Sequence, residues 1–280
     1  MTTHLLGALY AIIAAFLYGG ADFSGGFATR RLNHFQVLWL SSLMGAVVLV
    51  ALTLFWGEGL PTVKSIVYAS LASVFGGLGL ATLYNALAVG RASVVAPASA
   101  VVAAALPVFF AAIVEGLPDP VTLTGFILAA LGIWLTTRAN GVEGELLNDG
   151  LLPGVLAGLA FGGFFILIAQ VEPGPIFSPL IFGKMSAAAL GLIFLLVKKL
   201  PLPPVKGNPY ALLAGFLDVL ANVLYLVASN LTRVDIAAVL VCTYPAVTVM
   251  LAMIILKEQV TRTQMIGVFA CLVAIALIII

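Results

Sequence analysis

Four polar residues interrupt an otherwise apolar stretch in the last third of the chain and fall on one helical face. Asp218, Asn222, Tyr225 and Ser229 are separated by four, three and four positions, which is the spacing of neighbours on one side of an α-helix. A carboxylate, an amide and two hydroxyls in one line can bind a small polar molecule or carry a proton. Polar side chains are costly against lipid, so this line favours a water-filled cavity.

A second deep charge, Lys184, lies in the preceding apolar stretch. An α-helix rises ~1.5 Å per residue, and on this basis Lys184 and Asp218 lie at somewhat different depths in the membrane. A lysine side chain is long enough to span that difference. The two residues could form a structural ion pair, or Lys184 could extend to the membrane surface. They could also form a charge site for substrate or protons, and the sequence leaves these interpretations open.

Other polar and aromatic residues within apolar stretches are candidates for the same cavity. Asp22 follows Tyr18 by four positions, but it lies near the predicted end of its stretch, where an interfacial carboxylate is the simpler interpretation. Pro245 lies inside the ninth stretch and could be a passive kink or a hinge. The residues predicted to bind substrate are Tyr18, Tyr84, Asn85, Ser99, Asp218, Asn222, Tyr225 and Tyr244.

The chain has few residues for catalysis, metal binding or nucleic-acid binding. Its histidines, His4 and His34, lie near predicted helix ends, and Cys242 and Cys271 lie in apolar stretches, as small packing residues do. The sequence contains no paired-carboxylate or metal-ligand motif, so we expect neither an enzyme nor a bound cofactor or metal. A net charge of +1 gives no support to a nucleic-acid partner.

Composition indicates an integral membrane protein. Hydrophobic residues make up 63% of the 280 positions and charged residues 8%, which is too few charges to cover the surface of a soluble protein. A spanning helix needs ~20 mostly apolar residues. The ten candidate stretches are 5–23, 35–56, 64–89, 93–114, 121–137, 150–170, 176–197, 209–230, 235–256 and 262–280.

The ten stretches fall into two similar halves. Glu115 and Glu258 are 143 residues apart, and Gly125 and Gly267 are 142 apart. Five helices per half is an odd number, so the second half must enter the membrane from the opposite side. We therefore predict an all-α membrane protein of ten transmembrane helices, arranged as two inverted five-helix repeats around a central cavity. The predicted parts are a first repeat at 1–138, a connecting loop at 139–149 and a second repeat at 150–280.

Lysines and arginines in the connections predict the orientation. The side that carries both termini holds Lys64 and Arg233, whereas the other side holds nine basic residues. Short loops rich in Lys and Arg remain in the cytoplasm. We therefore predict that both termini lie outside the cytoplasm.

The residues around the last connection resemble a known family. Pro245 precedes Glu258 by thirteen positions, and Gln264-Met265-Ile266-Gly267 opens the next stretch. This pattern resembles the signature of the EamA branch of the drug/metabolite transporter superfamily, in which a proline-containing helix ends in Gly-Glu or Lys-Glu. The first copy is looser, because Glu115-Gly116 is present but Thr122-Leu123-Thr124-Gly125 lacks the glutamine.

The resemblance implies a basket of helices 1, 3, 4, 6, 8 and 9 around the cavity, with helices 5 and 10 at the periphery. Members of this branch include bacterial exporters of amino acids, among them an aromatic amino-acid exporter. We therefore expect a secondary transporter that exports amino acids or similar small metabolites across the bacterial inner membrane by alternating access. The alternative is an exporter of drugs, cationic compounds or other metabolites, and a channel is less well supported because no filter-like motif occurs. The expected partners are a small-molecule substrate, membrane lipid and, as candidate coupling ions, protons; a monomer is sufficient to close the cavity.

Overall fold

The computed structural model describes residues 2–89, 92–137, 151–255 and 261–279, and this described part is helical without strands. Its helices follow the predicted apolar stretches closely, except in the ninth. The helices are α1 (Thr2–Ala28), α2 (His34–Trp56), α3 (Val63–Val89), α4 (Ala92–Val114), α5 (Pro120–Thr137), α6 (Leu151–Ile168), α7 (Phe177–Val197), α8 (Pro209–Leu231), α9 (Val234–Val241), α10 (Tyr244–Ile255) and α11 (Arg262–Ile279).

Length and composition identify the helices that can cross a membrane. Within the described ranges, α1, α2, α3, α7 and α8 qualify, with apolar spans of 21 to 26 residues. α4, α5, α6 and α11 contain apolar segments of 10–17 residues. The chain is therefore a multi-pass membrane protein, and the full set of ten spans remains a prediction.

The ninth predicted helix, 235–256, is interrupted. Its two parts, α9 and α10, are separated by Cys242 and Thr243. Pro245 has no amide hydrogen, so a backbone carbonyl one turn earlier lacks the donor that would continue the helix. The Thr243 hydroxyl donates to the carbonyl of Leu240 at 2.6 Å within this break. The prediction of one continuous helix was therefore wrong at this position.

Close contacts at glycines give the relative directions of the helices. A Cβ atom on Gly20 of α1 would meet Leu217 of α8, and one on Gly25 would meet Ala214. Because the partner number falls as the α1 number rises, α1 and α8 are antiparallel. The same contacts make α8 parallel to α2, α2 antiparallel to α7, α7 parallel to α3, and α3 antiparallel to α6. It follows that α6, the first helix of the second half, runs opposite to α1.

Corresponding helices of the two halves make the same contacts. The first helix of each half packs on the third helix of the other half, in the pairs α1–α8 and α6–α3. It also packs on the fourth helix of the other half, in the pairs α4–α6 and α10–α1. α5 packs on α11, and α2 packs on α7. The first helix of each half therefore lies between helices of the other half, which brings residues of both halves together in the interior.

Charged contacts join the halves at one end of the bundle. We call this end side one; it holds the start of α1 and the α2–α3, α4–α5, α6–α7 and α8–α9 connections, and the opposite end is side two. Arg233 donates to the carbonyl of Gly116 at 2.6 Å and pairs with Asp235 at 2.9 Å. The hydrogen bond to Asp235 raises the pKa of the Arg233 guanidinium above its usual value. Glu58 accepts hydrogen bonds from the amides of Ile176 and Ser178 at 2.6 and 2.7 Å.

A second exposed contact at side one involves Glu172. Its carboxylate accepts a hydrogen bond from the Thr62 hydroxyl at 2.6 Å and lies 3.2 Å from Lys64. The hydrogen bond from Thr62, followed by that from Lys64, holds the pKa of Glu172 below its usual value. Side one is therefore held by contacts from both halves.

Candidate binding site in the helix interior

A hydrogen-bonded group lies where α1, α6, α8 and α10 meet. The Tyr18 hydroxyl donates to the Asn222 side-chain oxygen at 2.9 Å, and the Asn222 amide donates to the carbonyl of Asp218 at 2.6 Å. The Tyr18 ring lies 6.3 Å from the Phe165 ring and 6.4 Å from the Tyr244 ring. Residues of both halves thus form a surface of aromatic rings and amides.

Lys184 and Asp218 form an ion pair in the interior. The side chains are 12% and 37% exposed, respectively. Lys184 lies on α7 and Asp218 on α8, and α2 packs on both of these helices. The Lys184 side chain passes close to Gly45 of α2, where a Cβ atom would lie 3.3 Å from it.

Tyr225 is the most deeply buried member of the predicted polar line. It is 0% exposed, and its hydroxyl donates to the carbonyl of Phe165 at 3.0 Å. Its ring packs 4.9 Å from the Phe165 ring. The Ser229 hydroxyl donates to the carbonyl of Leu226 within its own helix at 3.0 Å. In this conformation Tyr225 therefore packs against α6.

Exposure along the interior face of α8 falls steeply toward side one. The Asp218 side chain is 37% exposed, whereas Asn222 is 3% and Tyr225 is 0% exposed. The α1 face opposite the lipid-facing residues shows the same gradient, since Asp22 is exposed and Ala15 is buried. All eight residues of α9, at side one, are buried. Among the described residues, the interior face is therefore exposed toward side two and buried toward side one.

The remaining residues that were predicted to bind substrate are Tyr84, Asn85 and Ser99. Tyr84 and Asn85 belong to α3, but their side chains fall outside the described set. Ser99 is buried on α4, where a Cβ atom on Gly158 of α6 would lie 2.5 Å from its carbonyl oxygen. Ser99 thus lies in the close contact between α4 and α6.

Two residues of the site were missed or given less weight by sequence reasoning. Phe165 contacts both Tyr18 and Tyr225, yet one aromatic residue in an apolar helix carries no distinguishing signal. Asp22 was interpreted as an interfacial carboxylate. Its four-residue spacing from Tyr18 was the signal that could have placed it on the interior face.

The described residues contain no group of three His, Cys, Asp or Glu side chains with the proximity that a metal site needs. The arrangement instead offers an ion pair, amide and hydroxyl groups, and several aromatic rings. These groups can hold a small molecule through charge, hydrogen bonds and ring contacts.

Comparisons with known proteins agree with the two-half pattern. The model of the EamA-like transporter family matches residues 5–138 and again residues 149–280. An uncharacterized protein of Methanocaldococcus jannaschii, MJ1333.1, is 30% identical over 133 residues, which are 47% of this chain and 97% of that protein. A solved crystal structure aligns with a TM-score of 0.79 over 97% of both chains at 16% identity, which shows a shared fold.

Proposed function

Because this chain belongs to the EamA-like transporter family, we propose that it is a secondary transporter that exports amino acids or similar small metabolites by alternating access. The family assignment supports a membrane transporter of small molecules. The substrate class and the mechanism are our proposal, based on the chemistry of the interior.

The observation that carries the proposal is the one-sided exposure of the interior. Asp218 is accessible, while Asn222 and Tyr225 on the same face of α8 are buried toward side one. A carrier needs a binding region that is reached from one side at a time. A channel would need a continuous path, so the closure at side one supports the carrier.

The chemistry of the interior suits a small zwitterion with an apolar side chain. Tyr18 and Tyr244 offer rings, and Asn222 offers an amide near the Lys184–Asp218 pair. We propose that Asp218 interacts with an ammonium group or carries a coupling proton, with Tyr84, Asn85, Ser99 and Tyr225 completing the binding region. Side two would face the cytoplasm of a bacterial cell, because the basic connections predicted by sequence lie there.

The test is counterflow in proteoliposomes with a panel of labelled amino acids and other metabolites, with and without a pH gradient. Saturable exchange of one class of compound would support a carrier and identify its substrates. Absence of exchange for every compound, or flux that does not saturate, would contradict the proposal.

The role of Asp218 needs a matched pair of variants. Asp218→Asn alone leaves Lys184 unpaired, so lost transport could reflect damage to the fold. The double variant Lys184→Met/Asp218→Asn removes both charges together. Wild-type exchange and wild-type response to the pH gradient in the double variant would contradict a role for Asp218.

An exporter of cationic compounds is the second candidate. The observation that favours it is the exposed carboxylate of Asp22 in the same interior. Counterflow of organic amines without any exchange of amino acids would support this candidate over the first.

A further inference from the structure

Asp22 lies on the interior face of α1. Successive residues turn by ~100° around an α-helix, which puts Asp22 about 40° from Tyr18 and about 180° from Ile13. Ile13 is 39% exposed on the outer, apolar face, whereas Tyr18 contacts Asn222 inside the bundle. Asp22 is nevertheless exposed, so its carboxylate faces open space in the interior rather than lipid.

Asp22 and Asp218 lie at the same depth in the bundle. α1 and α8 are antiparallel, and Tyr18 lies opposite Asn222. One turn further toward side two, this register brings Asp22 level with Asp218. The open part of the interior therefore contains two carboxylates.

Only one of these two carboxylates has a cationic partner among the described residues. Lys184 pairs with Asp218. In the described ranges, no Lys, Arg or His forms an ion pair with Asp22, and no side chain donates a hydrogen bond to it. Tyr18, four positions earlier on the same side of α1, donates its hydroxyl hydrogen to Asn222. Among the described residues, the opening thus holds one more carboxylate than it holds cationic side chains.

The excess of one carboxylate indicates the class of ligand. An ionised Asp22 would attract a positively charged group and repel an anion. The Tyr18 ring, one turn away on the same face, adds an aromatic surface of the kind that attracts cations. Asp218 is less suited to this task, because its charge already holds Lys184 in place.

We propose that Asp22 binds a protonated amine on the transported molecule, an inference that rests on the transport function proposed above. Amino acids and organic amines both carry this group. Of the two roles proposed above for Asp218, the ammonium contact is thereby assigned to Asp22, and Asp218 keeps its ion pair with Lys184 and the role of candidate proton carrier.

The proposal can be tested by ligand binding to the purified full-length protein. Phenethylamine, phenylalanine and 3-phenylpropionate share a ring and differ in their charged groups. We expect the wild type to bind at least one of the two amine probes, and Asp22→Asn to weaken that binding at least tenfold. Binding of 3-phenylpropionate, which has no amine, should not weaken in the variant.

Two further variants separate lost charge from lost folding. Asp22→Ser removes the charge with a small side chain, and its result should match that of Asp22→Asn. Asp119→Asn removes a carboxylate at the start of α5 on side one and should leave amine binding unchanged. Thermal melting of each variant reports whether the fold is intact.

The outcomes distinguish a zwitterionic from a cationic ligand, and they separate a failure of the Asp22 proposal from a failure of the transport proposal. Weakening of both phenylalanine and phenethylamine would show that the ammonium contact does not depend on a carboxylate in the ligand, whereas an effect on phenethylamine alone would identify a cationic amine. Unchanged amine affinity in both folded Asp22 variants, or no amine binding by the wild type, would overturn the proposal. Amine binding without exchange in proteoliposomes would instead count against transport while supporting the role of Asp22.

Discussion

The ion pair between Lys184 and Asp218 should respond unequally to loss of its two members. The Lys184 side chain is 12% exposed and the Asp218 side chain is 37% exposed. Asp218→Asn would leave a nearly buried ammonium without its counter-charge. Lys184→Met would leave a carboxylate that water can still reach. We therefore expect Asp218→Asn to be the more destabilising change.

The exposed fractions of the Lys184 and Asp218 side chains determine how far the costs of the two substitutions differ. Removing one member of a fully buried pair costs ~3–5 kcal/mol. Contact of Asp218 with water and the hydrogen-bonding capacity of asparagine reduce this, so we expect a cost of ~2 kcal/mol for Asp218→Asn. Lys184→Met should cost ~1 kcal/mol or less, since a partly solvated carboxylate retains its hydration. The double variant should recover much of the loss, with a coupling energy of ~1–2 kcal/mol.

The assay is thermal unfolding of the wild type, both single variants and the double variant in one detergent. A loss of ~2 kcal/mol corresponds to a fall in Tm of roughly 4–8 °C for a chain of this size. Lys64→Met, which breaks an exposed pair with Glu172, is the matched surface control and should leave the melting temperature close to that of the wild type. Additive effects in the double variant, or a larger loss for Lys184→Met than for Asp218→Asn, would refute the reasoning.

Two further predictions concern packing. Gly215→Ala should destabilise the protein by ~1–3 kcal/mol, because the added Cβ atom would overlap the carbonyl oxygen of Ser41. Gly26→Ala is the control, since Gly26 has open space around it. Equal melting temperatures for the two variants would contradict the prediction. Tyr225→Phe should cost ~1 kcal/mol through loss of the hydrogen bond to Phe165; a wild-type melting temperature together with a tenfold weaker apparent substrate affinity would instead assign the hydroxyl to substrate binding.

Periodicity was sufficient to predict most helices and the line of polar residues on α8. Apolar stretches of spanning length have few alternative structures in a membrane, because every backbone group must be paired internally. The sequence identified Tyr18 and Asn222 as polar residues inside apolar helices, and in the structure these two residues form a hydrogen bond.

Other features depend on packing between helices that are distant in sequence. Lys184 of α7 reaches Asp218 of α8 along a path that passes Gly45 of α2, so three helices that are distant in sequence position the pair. The helix is interrupted between α9 and α10 near Pro245. The sequence could not decide whether this proline bends the helix or interrupts it. The interior position of Asp22 depends on the pairing of α1 with α8, which decides which of its faces meets lipid.

The one-sided exposure of the interior also has an electrical consequence. Water in the opening would bring Asp22 and Asp218 close to the potential of side two, so the voltage would fall mainly across the closed part near α9. An ammonium group could then reach Asp22 while crossing little of the field. Its transfer past α9 would cross most of the field, at ~2.3 kcal/mol per 100 mV. Voltage should therefore change the rate of turnover more than the apparent affinity on side two.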